Sequence, residues 1–386
     1  MLYNPAAPRH EFDLSLLWSV VLLVSLGLVM VYSASIAMAE AEKVAGFRQH
    51  YYLMRHAIFI AVGLLAAFVT FQIPVAIWQR LAPALFIAGG FLLVLVLIPG
   101  IGLERNGSRR WLPLGVITMQ PSELMKLFVV LYAADYTVRK AAFMHDFKKG
   151  FLPMLAVMVF MGAMLLRQPD FGALVVITTI AMAVLFFGGL NGRVFIGLMV
   201  LLAASFAVLV KTSPYRWQRV TSYLDPWADE FGKSYQLTHS LMAFGRGEWT
   251  GVGLGGSIEK LFYLPEAHTD FLMAVLAEEL GFVGIVVVIG LFALLVYRAF
   301  MVGRESMMRE KYFAALVAQG IGVWLCVQAF INMGVCMGLL PTKGLTLPFM
   351  SFGGTGLVVS FVAVAILLRI DVENRALARA SEGNRK

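Results

Sequence analysis

Charged residues are scarce in this 386-residue sequence. They make up 14% of it, against about 25% in a typical soluble protein, whereas hydrophobic residues make up 60%. This balance excludes an ordinary soluble globular domain and indicates a protein with many membrane segments. The net charge of +8 comes from basic residues dispersed between hydrophobic segments, so it does not predict nucleic-acid binding.

Cysteines and metal-binding motifs are also nearly absent. The two cysteines, Cys326 and Cys336, share one hydrophobic stretch. Ten residues of helix would separate them by roughly 15 Å, which is too far for a disulfide. The sequence has no His-x-x-x-His or paired-cysteine pattern, which argues against a zinc site. It also has no internal repeat, which weakens, without excluding, a transporter built from inverted repeats.

Hydrophobic runs predict an all-α polytopic membrane protein with about ten transmembrane helices. The predicted spans are 14–36, 54–72, 78–98, 118–138, 151–167, 172–190, 193–211, 271–297, 312–336 and 346–369. The first apolar run is too long for a signal peptide, and the acidic Glu11 and Asp13 do not suit the basic region of one. We therefore expect a retained helix and a single membrane domain over residues 1–386.

The distribution of positive charge predicts the orientation. Lys and Arg residues gather after spans four and eight and in the C-terminal tail, at Arg139, Lys140, Lys148, Lys149, Arg298, Arg304, Arg309, Lys311, Arg369, Arg375, Arg379, Arg385 and Lys386. Loops with such an excess face the cytoplasm. Both termini are therefore predicted to be cytoplasmic. The large loop at about 212–270, between helices seven and eight, is predicted to face outward.

The 212–270 loop is too long to be structureless in a compact protein. It is rich in aromatic residues and glycines, and the stretch 235–244 predicts a short amphipathic helix at the membrane surface. The glycines permit tight turns or a close approach of the backbone to a ligand. The loop is either a packed extracytoplasmic cap or part of a ligand site.

Glu123 and Lys126 lie within predicted span four, one helical turn apart. A lysine near a helix N-terminus inside the membrane is unfavourable unless it is paired. We therefore predict a buried Glu123–Lys126 ion pair, which is either structural or lines a substrate cavity.

Other polar residues lie at the outer ends of the spans. Asp270, at the mouth of span eight, is well placed to act on a lipid-linked substrate. Arg109 and Arg110, beside a tryptophan, could hold a phosphate or anchor the membrane interface. Further candidates lie near these groups: Arg216 and Arg219, on one face if helical, and Glu266, His268, Glu278 and Glu279 around Asp270. Carboxylates near phosphates could also hold Mg²⁺ through water.

Several motifs in this order resemble one family over nearly the whole chain. They include Gly107-Ser108-Arg109-Arg110-Trp111, Gln120-Pro121-Ser122-Glu123-Leu124-Met125-Lys126, Leu264-Pro265-Glu266-Ala267-His268-Thr269-Asp270 and Gly338-Leu339-Leu340-Pro341-Thr342-Lys343-Gly344. The sequence resembles the SEDS family (shape, elongation, division and sporulation), and most closely its cell-division members. Phe352-Gly353-Gly354-Thr355-Gly356 departs from the Tyr-Gly-Gly-Ser-Ser common in the family.

The resemblance implies an inverting peptidoglycan glycosyltransferase of the cytoplasmic (inner) membrane at the division septum. The enzyme would polymerise lipid II into glycan strands beside a class B penicillin-binding protein and other divisome membrane proteins. Asp270 matches the essential aspartate of the family and is the candidate base. Candidate substrate-binding residues are Arg109, Arg110, Arg216, Arg219, His268 and Lys343, and a divalent cation such as Mg²⁺ could help to neutralise the pyrophosphate. A lipid II flippase and a scaffold that recruits the penicillin-binding protein are the alternatives.

Overall fold

We describe the protein from a computed structural model that covers residues 12–41, 48–105, 107–115, 117–212, 217, 223–229, 232, 234–342 and 344–383. The α-helices of these residues are α1 (Leu14–Ala41), α2 (Tyr51–Gln72), α3 (Val75–Leu95), α4 (Pro121–Arg139), α5 (Leu152–Arg167), α6 (Phe171–Phe187), α7 (Gly192–Lys211), α8 (Tyr235–Gly247), α9 (Leu272–Met308), α10 (Tyr312–Cys336) and α11 (Gly354–Gly383). Short helical turns occur at Ala141–Phe143, Phe147–Phe151 and Pro226–Asp229.

Each of the ten predicted spans falls on one of these helices. Within the described residues, seven helices are long and apolar enough to cross a bilayer: α1, α2, α3, α5 with its preceding turn, α9, α10 and α11. Helix α6 and the first half of α7 are apolar but shorter. Helix α4 carries the charged residues Glu123, Lys126 and Asp135, all of them buried. The chain is therefore a multi-pass membrane protein whose charged helix is enclosed by apolar ones.

The prediction of an entirely α-helical chain needs one correction. Between α3 and α4 the chain forms a small antiparallel sheet of β1 (Leu103–Arg105), β2 (Ser108–Leu114) and β3 (Ile117–Met119), in that order. Glu104 on β1 lies opposite Arg109 on β2, and Leu112 on β2 lies opposite Met119 on β3. The hydrophobic runs could not indicate this sheet, because its strands are short and half of their residues are polar.

Helix α10 lies at the centre of the bundle and contacts α4, α6, α9 and α11. Its apolar core includes Trp324, which is fully buried. Two buried polar residues, Gln328 and Asn332, lie one helical turn apart on it. Since a polar group in such a core needs a hydrogen-bond partner, these two side chains connect α10 to the neighbouring loops.

Helix α9 is broken by a kink at Gly281, whose φ is 65°. The free backbone groups there bond to the turn after α8: Phe282 N donates to Glu248 O and Val252 N donates to Glu278 O, at 2.9 and 3.0 Å. A Cβ at Gly281 would lie 2.3 Å from the amide nitrogen of Gly251. Only glycine allows both the positive φ and this approach. The glycine-rich loop thus lies against the backbone of α9, and its approach to a ligand stays a prediction.

Two adjacent carboxylates, Glu278 and Glu279, lie fully buried at this kink. Glu278 accepts hydrogen bonds from Arg246 at 2.6 Å and Ser257 at 2.5 Å. Glu279 pairs with Lys260 at 2.7 Å and accepts from Ser33 at the same distance. The structure thus places both glutamates in a network that fastens the loop before α9 to the bundle.

The predicted short amphipathic helix at 235–244 is confirmed by α8. Its buried face includes Leu237, Ser240 and Ala243, and packs against α9 and α10. Ser240 Oγ donates to the carbonyl oxygen of Cys336 at 2.7 Å. Helix α8 therefore packs against the bundle.

Candidate active site

A cavity of about 830 Å³ lies among α4, α6, α9, α11 and the small sheet. Its wall combines glycines, hydroxyl groups and charged side chains. The lining residues are Gly107, Ser108, Arg110, Trp111, Thr118, Gln120, Glu123, Leu166, Pro169, Asp170, Phe171, Gly172, Ala173, Gln236, Glu266, Thr269, Asp270, Phe271, Thr342, Gly344, Leu345, Thr346, Phe352, Gly353, Gly354, Thr355 and Gly356. This volume is in the upper part of the range of small-molecule sites.

Four helices begin at this cavity. Gln120, Asp170, Phe271 and Gly353 line it immediately before the first residues of α4, α6, α9 and α11. Helix N-termini present unpaired N–H groups and the positive end of the helix dipole. The positive ends of these helices favour an anionic ligand such as a phosphate, although at α6 the side chain of Asp170 already accepts from Ala173 N.

Asp270 lies in the cavity wall just before α9 and is partly exposed. Its backbone oxygen accepts a hydrogen bond of 2.8 Å from Asn332 Nδ2, which also donates to Leu345 O at 2.6 Å. A Cβ at Gly344 would lie 3.0 Å from Asp270 Oδ2. Asn332 on helix α10 therefore fixes the backbone of Asp270, and the absence of a side chain at Gly344 leaves room for its carboxylate.

The surroundings of Asp270 make it a stronger base than an ordinary aspartate. Removal from bulk water is the main cause that raises the pKa of Asp270 from 3.8 to about 7. The carboxylates of Glu266 and Asp170 raise this pKa further, and the guanidinium of Arg110 lowers it. A group with this pKa can accept a proton near neutral pH, as general-base catalysis requires.

Arg109 and Arg110 are neighbours on β2 and point to opposite sides of the sheet, as successive strand residues do. Arg110 lines the cavity and donates to the carbonyl oxygens of Gln168 and Pro169 at 3.1 and 2.5 Å. Arg109 is instead outside the cavity wall and pairs with the exposed Glu104 at 2.8 Å. Of these two predicted ligands, the structure brings only Arg110 to the site.

Glu123 and Lys126 form an ion pair beside the cavity, with 2.7 Å between Lys126 Nζ and Glu123 Oε1. Lys126 is fully buried and also donates to Gln328 Oε1 at 2.8 Å. Gln328 in turn donates to Thr346 O at 2.9 Å and accepts from Trp324 at 2.7 Å. Glu123 lines the cavity, so the pair is both a structural element and part of the wall.

His268 is buried outside the cavity wall. Its ring lies against Tyr52 and Phe352, with centroids 4.7 and 5.5 Å away. Its backbone oxygen accepts from Phe352 N at 3.0 Å. These contacts support the loop that carries Asp270. They do not bring His268 to the cavity, so its contact with substrate stays a prediction.

The remaining predicted ligands, Arg216, Arg219 and Lys343, lie outside the described residues. The structure adds residues that the sequence reasoning did not select, namely Asn332, Gln328 and Asp170. Asp170 caps α6 through Ala173 N at 3.2 Å and accepts from Ser122 at 2.9 Å. Gln328 and Asn332 could have been found as polar residues in an apolar helix.

The described residues include no preformed cluster of metal ligands. They contain no group of three or more His, Cys, Asp or Glu side chains that could hold one. Asp270, Glu266 and Asp170 line the same cavity, and Mg²⁺ can be held by one or two carboxylates together with water and substrate phosphates, so such an ion stays a prediction. We therefore derive no step through a metal.

Known proteins resemble this chain over almost its full length. Residues 14–376 match the cell cycle protein family FtsW/RodA/SpoVE. Proteins named Probable peptidoglycan glycosyltransferase FtsW are 60% identical over 378 residues in Aromatoleum aromaticum and 54% identical over 385 residues in Burkholderia thailandensis. These alignments cover 98% of this chain in both cases, and 92% and 83% of the relatives.

Two solved structures share the fold. One is a peptidoglycan synthase complex, whose structure concerns the coordination of polymerization and crosslinking. Its matching chain is 30% identical to this chain, with a TM-score of 0.75. The match covers 94% of this chain and 98% of that one. The other is the rod shape determining protein RodA of Thermus thermophilus, 29% identical, with a TM-score of 0.66 and coverage of 96% and 98%. The resemblance noted from the motifs is thus confirmed, and the chain belongs to the FtsW/RodA/SpoVE family, whose members are the SEDS proteins.

Proposed function

We propose that the protein is a peptidoglycan glycosyltransferase that polymerises lipid II into glycan strands for septal wall synthesis. The observation that carries this proposal is the position of Asp270, a carboxyl group with a pKa of about 7, in a cavity bordered by four helix N-termini. The first feature suits deprotonation of a sugar hydroxyl. The second suits the pyrophosphate of a lipid-linked donor. The names of the close relatives agree with this activity.

In the proposed reaction, the hydroxyl oxygen of the acceptor sugar attacks the anomeric carbon of the donor. Asp270 accepts the hydroxyl proton while the new glycosidic bond forms. The bond from the anomeric carbon to the pyrophosphate oxygen breaks, and its electron pair leaves with the pyrophosphate. Arg110 and the N-termini of α4, α6, α9 and α11 stabilise that developing charge. Attack and departure on opposite faces of the sugar give inversion in a single displacement.

We place ten helices across the membrane, α1 to α7 and α9 to α11, with both termini in the cytoplasm. The loops rich in Lys and Arg then face the cytoplasm, in agreement with the positive-inside rule. The sheet, α8 and Asp270 lie on the outer side, where lipid II is polymerised in this proposal. Burial of the charged residues of α4 inside the bundle supports a spanning role for this helix.

The proposed partners are a class B penicillin-binding protein, which would cross-link the new strand, and other divisome membrane proteins at the septum. Similarity to a chain of a peptidoglycan synthase complex supports the first of these. A divalent cation remains a prediction; Mg²⁺ would be held by the substrate pyrophosphate and water together with cavity carboxylates.

Reconstitution of the purified chain in liposomes with fluorescent lipid II tests the activity. No other polymerase is present, and a matched sample carries the class B penicillin-binding protein. Glycan ladders are expected. Transfer of lipid II across the bilayer without ladders would indicate a flippase, and neither result in the presence of the partner would indicate a scaffold.

A further inference from the structure

The chain between α8 and α9 turns apolar side chains outward over residues 249–263, here called the 249–263 loop. Trp249 and Leu254 are 71% and 61% exposed. The other large exposed side chains of the loop are Val252, Ile258, Leu261, Phe262 and Tyr263. A group of exposed apolar side chains of this size marks contact with a protein or a membrane. The loop is therefore built for an environment other than water.

The two charged residues of the loop, Glu259 and Lys260, point inward. Lys260 is buried, and its Nζ donates to Glu279 Oε1 at 2.7 Å and to Ser33 Oγ at 2.9 Å. Glu259 Oε2 lies 2.6 Å from His239 Nδ1, and its side chain is 12% exposed. Surface loops in water keep their charged groups outside. The 249–263 loop does the reverse.

Most backbone N–H groups of the loop also find acceptors inside the protein. Val252 N and Gly253 N donate to the backbone oxygens of Glu278 and Glu279 at 3.0 and 3.1 Å. The carboxylate of Glu278 accepts from Ile258 N at 2.9 Å. The N–H groups satisfied in this way are those of residues 251, 252, 253, 256, 257, 258, 259, 260 and 261. Backbone in contact with hydrocarbon needs such internal partners, because lipid tails offer none.

Two polar contacts between α1 and α9 give the depth of the loop in the membrane. At one end, Arg298 pairs with Asp13 at 2.5 Å. At the other end, Lys260 of the loop joins Ser33 and Glu279. On α1, Ser33 lies about 20 residues from Asp13, which is roughly 30 Å of helix. On α9, Glu279 lies about 20 residues from Arg298, again roughly 30 Å. This is the thickness of the hydrocarbon core, so the loop lies at the boundary opposite Arg298.

The apolar outer side of α9 continues into the loop. Phe282, Val283 and Val286 are exposed on α9 directly after the kink. This part of α9 belongs to a helix long and apolar enough to cross a bilayer. The ring of Trp249 lies edge-on to that of Phe282, with centroids 5.3 Å apart. Lipid that covers this side of α9 therefore meets the loop as well.

We propose that the 249–263 loop is embedded in the lipid at the membrane boundary opposite Arg298, with Trp249, Leu254 and Leu261 in contact with acyl chains. In the orientation proposed above, this boundary belongs to the outer leaflet. The depth of the loop and its internally satisfied backbone suit lipid rather than a soluble partner, and exposed aromatic residues are typical of this boundary. None of the loop residues lines the Asp270 cavity, so the inference does not depend on the proposed function.

Nitroxide labels in the full chain test this placement. Cys326→Ser removes the exposed cysteine, and Cys336 is buried, so it should not be labelled. Single labels are then attached at Leu254→Cys, Ile258→Cys and Leu261→Cys, and the chain is reconstituted in liposomes of phosphatidylethanolamine and phosphatidylglycerol. Electron paramagnetic resonance measures how strongly oxygen, which concentrates in lipid, and a water-soluble nickel chelate relax each label.

Two further labels serve as controls. Val286→Cys lies on the exposed apolar side of α9, and Glu104→Cys lies on the exposed strand β1. The ratio of oxygen to nickel accessibility at the three loop positions should resemble that at position 286 and exceed that at position 104 several-fold.

A ratio like that of position 104 at the loop positions would overturn the inference, because the loop would then lie in water. Weak relaxation by both reagents would also overturn it, because a protein surface such as a second copy of the chain would then cover the loop. The proposed function fails separately, if the native chain makes no glycan from lipid II.

Discussion

The pH dependence of polymerisation gives a detailed test of the role of Asp270. A general base works only when it is deprotonated, so activity should be present above the pKa and lost as the pH falls through it. With a pKa of about 7, roughly one-tenth of Asp270 is deprotonated at pH 6. We therefore expect kcat/KM for lipid II to fall about tenfold between its plateau and pH 6.

The acidic limb of the pH profile is the range in which activity falls with falling pH. Two residues next to Asp270 should move this limb in opposite directions. Glu266 raises the pKa of Asp270, so Glu266→Gln should lower that pKa and shift the limb to lower pH. The glutamine keeps an oxygen for Thr269 Oγ1, which donates to Glu266 Oε2 at 2.7 Å. Arg110 lowers the pKa of Asp270, so Arg110→Gln should raise it and shift the limb to higher pH.

The assay is the initial rate of glycan formation from fluorescent lipid II in liposomes between pH 5 and 9. The position of the limb is compared after each profile is scaled to its own plateau, since Arg110→Gln also removes an anion-binding group. Glu104→Gln is the control, because Glu104 is exposed on β1 and pairs with Arg109. Limbs at one common pH in all four proteins would show that Asp270 is not the titrating base.

Two further substitutions test the supports of the site. Asn332→Ala removes the donor of the Leu345 carbonyl oxygen and leaves the Asp270 carbonyl oxygen only the weak thiol donor of Cys336 at 3.6 Å. Loss of these bonds should cost about 1–3 kcal/mol, so Tm should fall. If Asp270 moves by about 1 Å, turnover should also fall roughly 100-fold; full activity would deny Asn332 a positioning role. Gly281→Ala forces an L side chain to φ 65° and should cost about 1–3 kcal/mol in thermal unfolding. A Cβ at Gly290 in α9 meets nothing within 4 Å, so an equal cost for Gly290→Ala would rule out the kink as its cause.

The sequence predicted the helices well, because hydrophobic runs of membrane length are a strong signal. It predicted Glu123 and Lys126 as neighbours because both lie on one helix. It did not predict the separation of Arg109 from Arg110, which depends on a strand that was not recognised. A strand turns successive side chains to opposite faces, so one arginine reaches the cavity and the other does not.

Contacts between distant segments were also beyond the sequence reasoning. Asn332 lies 62 residues from Asp270, yet it fixes the backbone of Asp270. Glu278 lies only eight residues after Asp270 but bonds to Arg246 and Ser257, because the kink at Gly281 ends the first part of α9 against the loop after α8. Proximity along the chain suggested one cluster of acids, and packing divides it into two.

In the proposed mechanism, Asp270 is the base of a lipid II polymerase. The most direct test of this role is the polymerisation rate of Asp270→Asn in liposomes with the class B penicillin-binding protein. Asp146→Asn is the matched control. Asp146 caps a short helical turn by accepting a hydrogen bond from Lys148 N, and the side-chain oxygen of asparagine can accept the same bond. We expect Asp270→Asn to lower the rate by about 10²–10⁴-fold while insertion and partner binding persist, and Asp146→Asn to retain the native rate. Glycan synthesis by Asp270→Asn at the rate of the control would show that Asp270 is not the base.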